Sequence, residues 1–295
     1  MKFTILGSGT PAPSLRRMSS GYALEVGNDL LVFDHGAGAH QRFLEAGLKA
    51  ADVTHCFLTH YHYDHIMDLP RLVLTRWDHG QPGANPLKIF GPDPLTQLLD
   101  RFFGENGAFA WDINARIDSP ASQAVYRVRG GILPRPGPSL TPRQVTVGDV
   151  IEGDGWRVIV GPARHVQPVL DCIAYRIETP EVTIVYSGDN GGIYEPFIEF
   201  AKGADILIHM NHFLSGTEAD QDYRIMSGSH LDNAETAKRA GVGTLVLTHL
   251  QPNFDRPGVT EKMLAEISEI YGGTVIVAQD AMDLPLQPAC NELAD

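Results

Sequence analysis

Thr59-His60-Tyr61-His62-Tyr63-Asp64-His65 follows directly on a short apolar run at 55–58. Four side chains of metal-ligand type, His60, His62, Asp64 and His65, fall within six residues. On a strand, alternation of side chains puts His60 and His62 on one face. A tight turn after them can redirect Asp64 and His65 toward a second ion nearby. Neutral imidazole and carboxylate are donors that zinc favours. A lone His-x-His reads as a chance feature of a solvated loop. Four such residues at a strand–turn junction, with apolar sequence on both sides, read as a metal site.

Outward from this stretch, residues 2–6 read as a buried strand ended by Gly7-Ser8-Gly9-Thr10-Pro11. That turn lacks a third glycine and runs into Pro11 and Pro13, which excludes a dinucleotide-binding loop. Strand patterns at 22–26 and 30–33, joined by Gly27-Asn28-Asp29, read as a hairpin. A helix is expected at 40–46, stopped by Gly47. After the histidine-rich turn a helix buries Ile66, Leu69, Leu72 and Leu74, and a strand at 88–90 and a helix at 94–103 follow. The pattern breaks over about 104–143, where Gly130-Gly131, Pro134, Pro136, Pro138 and Pro142 mix with Phe109, Trp111 and Tyr126. A loop that long in a compact domain is usually functional or mobile. It is expected to be an insertion in a single domain spanning 1–295. Strand patterns return at 156–160, 173–177, 183–186, 206–208, 244–247 and 274–277, with helices at 194–201, 231–240 and 259–271. Each half opens with strands and closes with helices, which suits two sheets packed face to face with helices outside.

The 295 residues carry a formal net charge of −13, 43% hydrophobic and 20% charged side chains. A chain of this size buries a large core without disulfides. The acidic balance argues against a polyanionic partner, since nucleic-acid binders usually show a basic face. Cys56, Cys172 and Cys290 are far apart and form no CxxC, as expected of free thiols in a reducing compartment. The N-terminal apolar stretch is too short for a signal-peptide core, and no run approaches a membrane span. A cytoplasmic location and no membrane partner are therefore expected.

HxHxDH after a strand resembles the signature of the metallo-β-lactamase superfamily, and within it the ribonuclease Z and arylsulfatase-like branch. The likeness extends to Leu6-Gly7-Ser8-Gly9-Thr10-Pro11, Phe33-Asp34-His35-Gly36, Ser187-Gly188-Asp189 and Leu247-Thr248-His249, in that order. It implies an α/β fold, a four-layer αββα sandwich of two mixed sheets with outer helices. It also implies two zinc ions per chain: His60, His62 and His165 hold the first, Asp64, His65 and His249 the second, and Asp189 bridges them. Manganese, iron or cobalt suit the same donors. Asp34 is expected to orient a ligand histidine through its distal N–H, or simply to form the turn before His35-Gly36. Two cations about 3.5–4 Å apart lower the pKa of a shared water from 15.7 to roughly 7, so no Ser or Cys nucleophile is needed. Asp64 and His230 are the residues expected to take part in the catalytic step, His230 as proton donor.

Two departures bear on substrate. Ribonuclease Z keeps a His-Glu pair after the strand that here ends in Ile208-His209, and this chain has Met210 at the glutamate position. That glutamate supports the donor histidine, so the change argues against phosphodiester cleavage. Asn211 and His212 are additional polar groups expected near the substrate. The 104–143 segment, with Arg116, Arg127, Arg129, Arg135 and Arg143 beside Asp112 and Asp118, reads as a lid or a dimer contact more than as a tRNA-gripping arm. The expected activity is hydrolysis of a small-molecule ester, lactone, aryl sulfate or similar activated bond by water that the zinc pair activates. The alternative is a phosphodiesterase or ribonuclease Z-like tRNA 3′-processing endonuclease. A di-iron redox protein of this fold usually has a glutamate where this chain has His62, and a binding module that has lost catalysis also loses ligands, which are complete here. A homodimer is expected.

Overall fold

The computed structural model of the protein describes residues 1–286, so Cys290 lies outside it. Cys56 and Cys172 are buried free thiols. The first sheet contains β1 (Lys2–Gly7), β2 (Gly21–Val26), β3 (Asp29–His35), β4 (Val53–Phe57), β5 (Leu87–Gly91) and β6 (Leu140–Gln144), closed by β14 (Met282–Asp283) in the order β14-β1-β2-β3-β4-β5-β6. The second contains β7 (Val150–Gly153), β8 (Trp156–Pro162), β9 (Ile173–Glu178), β10 (Thr183–Tyr186), β11 (Ile206–Met210), β12 (Thr244–Thr248) and β13 (Thr274–Val277), in the order β13-β12-β11-β10-β9-β8-β7. Both sheets are mixed. The strands joined by hairpins pair antiparallel, and those joined through helices pair parallel, as β3 with β4 and β10 with β11.

Alternation along each strand sorts side chains between two environments. On β4, Phe57 faces the opposite sheet and Cys56 the helices; on β10, Ile184 and Tyr186 face inward and Val185 outward. Each large side chain removed from water contributes roughly 1.5–3 kcal/mol. The inter-sheet core, with Phe3, Tyr22, Phe33, Phe57, Tyr175 and Tyr186, therefore fixes one sheet against the other. Outside the first sheet lie α1 (Ala39–Glu45), α2 (Tyr63–Ile66), α3 (Leu69–His79) and α4 (Leu95–Phe103). Outside the second lie α7 (Glu195–Ala201), α9 (His230–Ala240) and α10 (Val259–Ser268), with Phe197, Ala237 and Met263 in the outer core. The start and stop of α9 are written in sequence: the Ser229 side chain accepts from the Asp232 N–H, and Gly241 closes the helix in a left-handed conformation.

The segment at 104–143 differs from expectation. It forms α5 (Ala110–Asp118), α6 (Pro120–Val128) and edge strand β6. Pro120 sits in the first turn of α6, where a missing N–H costs nothing. Ala121, Ala124, Val125 and Val128 recur at helical spacing along α6, yet none of its residues is buried. Three of the five arginines are also committed. Arg116 and Arg135 reach the Asp78 carboxylate at 2.9 and 2.7 Å, and Arg129 donates to the Asp78 carbonyl. Arg135 lies over the Trp77 ring at 4.3 Å. Asp78 is nine residues beyond Leu69, about 13 Å along the α3 axis. Through these three arginines the segment is fastened at the end of α3 remote from the histidine-rich turn. No helix among the described residues is long and apolar enough to cross a membrane.

Candidate metal centre

The ligand-type residues gather just beyond the ends of central strands. His60, His62, Asp64 and His65 follow β4, Asp189 follows β10, His249 follows β12, and His165 lies three residues past β8. Crevices at the carboxyl ends of strands are the usual ligand sites of open α/β sheets. Two clusters form there. His60, His62, His165 and Asp189 each offer a donor atom within 4.8 Å of the others, and so do Asp64, His65 and His249. Asp189 reaches both, with its oxygens 3.6 Å from His165 Nε2, 3.3 Å from His65 Nε2 and 3.5 Å from His249 Nε2. Every one of the seven expected ligands is therefore in one place.

The backbone is shaped for this approach. Gly36 is needed because a Cβ there would lie 1.9 Å from the Asp64 carbonyl oxygen. Gly188 has φ 55°, and its added Cβ would meet Thr59 at 2.8 Å. Asp34 and His249 adopt left-handed conformations, φ 51° and 57°. Such strain costs of order 1–3 kcal/mol per residue and concentrates at functional sites.

Hydrogen bonds fix which nitrogens face the clusters. His65 Nδ1 donates to Asp34 Oδ2 at 2.7 Å, which leaves Nε2 as a lone pair, buried and without a hydrogen-bond partner. His165 Nδ1 donates to the Met226 carbonyl at 2.6 Å. The Thr59 hydroxyl gives its proton to Asp34 Oδ2 at 2.8 Å, so it accepts from His60 Nδ1 at 3.1 Å. The Nε2 lone pairs of His60 and His165 then converge on His62 Nδ1, at 3.0 and 3.3 Å. Burial, followed by the neighbouring His65, pushes the His60 pKa well below the ordinary value and favours the neutral, ligating form. At His65 burial is opposed and outweighed by Asp189, Asp34 and Asp64, which raise its pKa; this favours a second proton on Nε2, at the position a cation would take. Burial also works against the charge on Asp189, yet His249 and His65 hold its carboxyl well below the usual range.

These residues fit a pair of divalent cations. Asp34, Asp64 and Asp189 are buried, and among the described residues none pairs with a Lys or Arg. Buried carboxylates require compensation. Among the described residues histidines are the only groups able to carry positive charge beside them, and ring nitrogens of five histidines meet in the two clusters.

The other expected residues divide. His212 Nδ1 lies 3.2 Å from His249 Nδ1, which places it at the edge of the second cluster. Asn211 is buried in a structural role, accepting from Asn233 Nδ2 at 3.1 Å while its backbone N–H donates to the Thr248 carbonyl. His230 was expected to lack a carboxylate partner. Instead its Nε2 pairs with Glu266 Oε2 at 2.8 Å, and its Nδ1 accepts from the Ser215 N–H at 3.0 Å. The start of α9 turns the ring toward α10, both ring nitrogens are used, and it contacts neither cluster. Thr59, Tyr186 and the Met226 carbonyl escaped sequence reasoning. The first two flank motifs that were legible, whereas a backbone carbonyl leaves no signal.

The sequence model of the metallo-beta-lactamase superfamily matches residues 15–249, a span that contains all seven residues of the two clusters. The chain belongs to the metallo-β-lactamase superfamily. Members of this superfamily similar to it along nearly the whole chain include proteins named ribonuclease Z. That of Mycobacterium sp. (strain KMS) is 32% identical over 293 residues, covering 98% of this chain and 97% of the relative. That of Mycobacterium bovis (strain BCG / Pasteur 1173P2) is 30% identical, covering 98% and 99%. The fold is shared with metallo-β-lactamase fold protein YhfI from Bacillus subtilis, at TM-score 0.73 and 22% identity over 96% of this chain and 98% of that one. It is shared too with the short form of human tRNase Z, at TM-score 0.68 and 20% identity over 97% and 99%. The protein is a metal-dependent hydrolase of this superfamily.

Proposed function

We propose that the protein hydrolyses phosphodiesters at a two-cation centre, with the 3′ end of precursor tRNA as the leading substrate. The carrying observation is the pair of donor clusters with their two buried carboxylates, Asp64 and Asp189, in a chain similar along nearly its whole length to proteins named ribonuclease Z. These relatives favour the phosphodiester alternative over the small ester or sulfate first expected. His60, His62 and His165 would hold one cation, Asp64, His65 and His249 the other, and Asp189 both; zinc suits this donor set best. Bound there, the pair supplies acidified water and stabilises charge on the attacking and leaving oxygens. His212 replaces His230 as the side chain placed to contact substrate, because it alone of the two lies against a cluster.

A small activated substrate is the second reading. It is favoured by the commitment of Arg116, Arg129 and Arg135, three of the five arginines in that segment, to Asp78. The deciding experiment gives zinc-loaded protein precursor tRNA, bis-aryl phosphodiesters, aryl sulfates and lactones. Site-specific cleavage of the RNA supports the first reading. Turnover of sulfates or lactones with RNA and diesters untouched replaces it with the second. A homodimer is part of the proposal, with the exposed side chains Trp111, Val125 and Val128 of α5 and α6 as its contact. Sedimentation of the native protein and of Val128→Asp tests it, a monomer in both cases removing it.

A further inference from the structure

Asp34 is completely buried, and four donors meet its carboxylate. Oδ1 accepts from the Thr59 N–H at 2.8 Å. Oδ2 accepts from the Thr59 hydroxyl at 2.8 Å, from His65 Nδ1 at 2.7 Å and from the Tyr186 hydroxyl at 2.6 Å. Thr59 passes the orientation on, since its hydroxyl oxygen accepts from His60 Nδ1. One carboxylate thus sets the ring of a histidine in each cluster, His65 directly and His60 through Thr59.

Tyr186 is the donor that arrives from the other sheet, at the end of β10 and three residues before Asp189. Its ring sits in the inter-sheet core, 4.6 Å from that of Tyr22, whose hydroxyl bonds Thr248 Oγ1 at 2.8 Å beside His249. Phenylalanine would fill the same core volume. What the tyrosine adds is one buried hydroxyl, and that hydroxyl is spent on Asp34. Buried hydroxyls find partners as a matter of course; here the partner is the group that orients both clusters.

We propose that the Tyr186 hydroxyl is a positioning group for both donor clusters, acting through Asp34 on His65 and, by way of Thr59, on His60. The proposal rests on the two-cation reading above. Without the hydroxyl the Asp34 carboxylate keeps three donors but loses its tie to the second sheet, which loosens its hold on both histidine rings. Loss of an outer partner of a metal ligand typically costs about 10–100-fold in metal affinity. Tyr186 acts one bond further out, so the lower end, about 10-fold at each site, is expected.

The test is zinc binding to metal-free protein by competition with a chromophoric chelator, for native protein, Tyr186→Phe, Asp34→Asn and the double variant, each with its metal-free Tm. Tyr186→Phe should weaken both sites about 10-fold. In the Asp34→Asn background the same change should do nothing more, because the route through the carboxylate is already cut. An equal further loss in that background overturns the route. Native zinc affinity in Tyr186→Phe, whatever its Tm, overturns this proposal alone. Native protein that takes up no zinc overturns the two-cation reading and this proposal with it.

Discussion

The two donor clusters draw on the same two sheets but differ in exposure. In the cluster of Asp64, His65 and His249 every residue is buried, whereas His62 of the other is partly exposed and His165 is 10% exposed at its side chain. The closed cluster is held by the Asp34 hydrogen bond and by the strained backbone of His249. The open cluster is held by Thr59 and by the Met226 carbonyl, at the end of α8 (Gln221–Met226). On the proposed two-cation reading, a cation in the closed cluster would be retained by the fold, and one in the open cluster would meet solvent and substrate.

Asp189 is the residue common to both, so its loss should erase the distinction. Asp189→Ala is expected to lower metal content at both sites and to cut turnover by about 10³-fold or more, the equivalent of several kcal/mol of charge stabilisation. Metal analysis showing a full native complement in this variant would break the comparison at its centre. His62→Ala should act on the open cluster alone, leaving about one equivalent of metal. In native protein a chelator should strip metal in two phases, and His62→Ala should lack the fast one. A single phase in native protein would mean that the clusters do not differ in access.

How much of this was legible in sequence depended on whether a residue's neighbours along the chain reported its environment. His60 to His65 stand after an apolar strand, and Asp189 and His249 each follow one, so chain position agreed with the ligand set that the family resemblance implied. His230 sits equally well after a turn, but its fate was set by the direction in which α9 leaves Ser229, and Glu266 on α10 gave no warning of the contact. The α5–α6 hairpin was illegible for a different reason. Helix α6 does carry an apolar period, Ala121, Ala124, Val125 and Val128, but it is short and buries nothing, and Gly130 and the prolines after it pointed to irregular chain. Tyr186 was visible only as a core aromatic, because the value of its hydroxyl lies in a contact with the opposite sheet.

The Asp78 cluster offers a contrast, since it is ionic like the metal centre but remote from it. Arg135 and Arg116, against the opposing effect of burial, hold the Asp78 carboxyl below its usual range. A carboxyl depressed in the folded state contributes stability that is fully present above its unfolded pKa, about 3.9, and is lost as pH falls through the folded value. Asp78→Asn should therefore cost about 1–3 kcal/mol near neutral pH, and less as the pH falls below the carboxylate range. Metal content and turnover should stay native. Thermal melts across pH check the first part, and a metal loss in this variant would tie the remote cluster to the centre. The smallest effect on chemistry is expected at His230. Its hydrogen bonds to Ser215 and Glu266 make His230→Ala a stability change of about 1–2 kcal/mol, with turnover altered equally for good and poor leaving groups. A loss confined to poor leaving groups would restore it as a proton donor.

The central claim is that the two clusters hold two cations in one chain. Elemental analysis of protein grown in zinc-replete medium, beside Asp189→Ala prepared in the same way, measures this directly. The account predicts close to two equivalents of zinc or another transition metal in the native chain and a marked fall in the variant. Native protein free of transition metal, or one equivalent that Asp189→Ala leaves untouched, would contradict it.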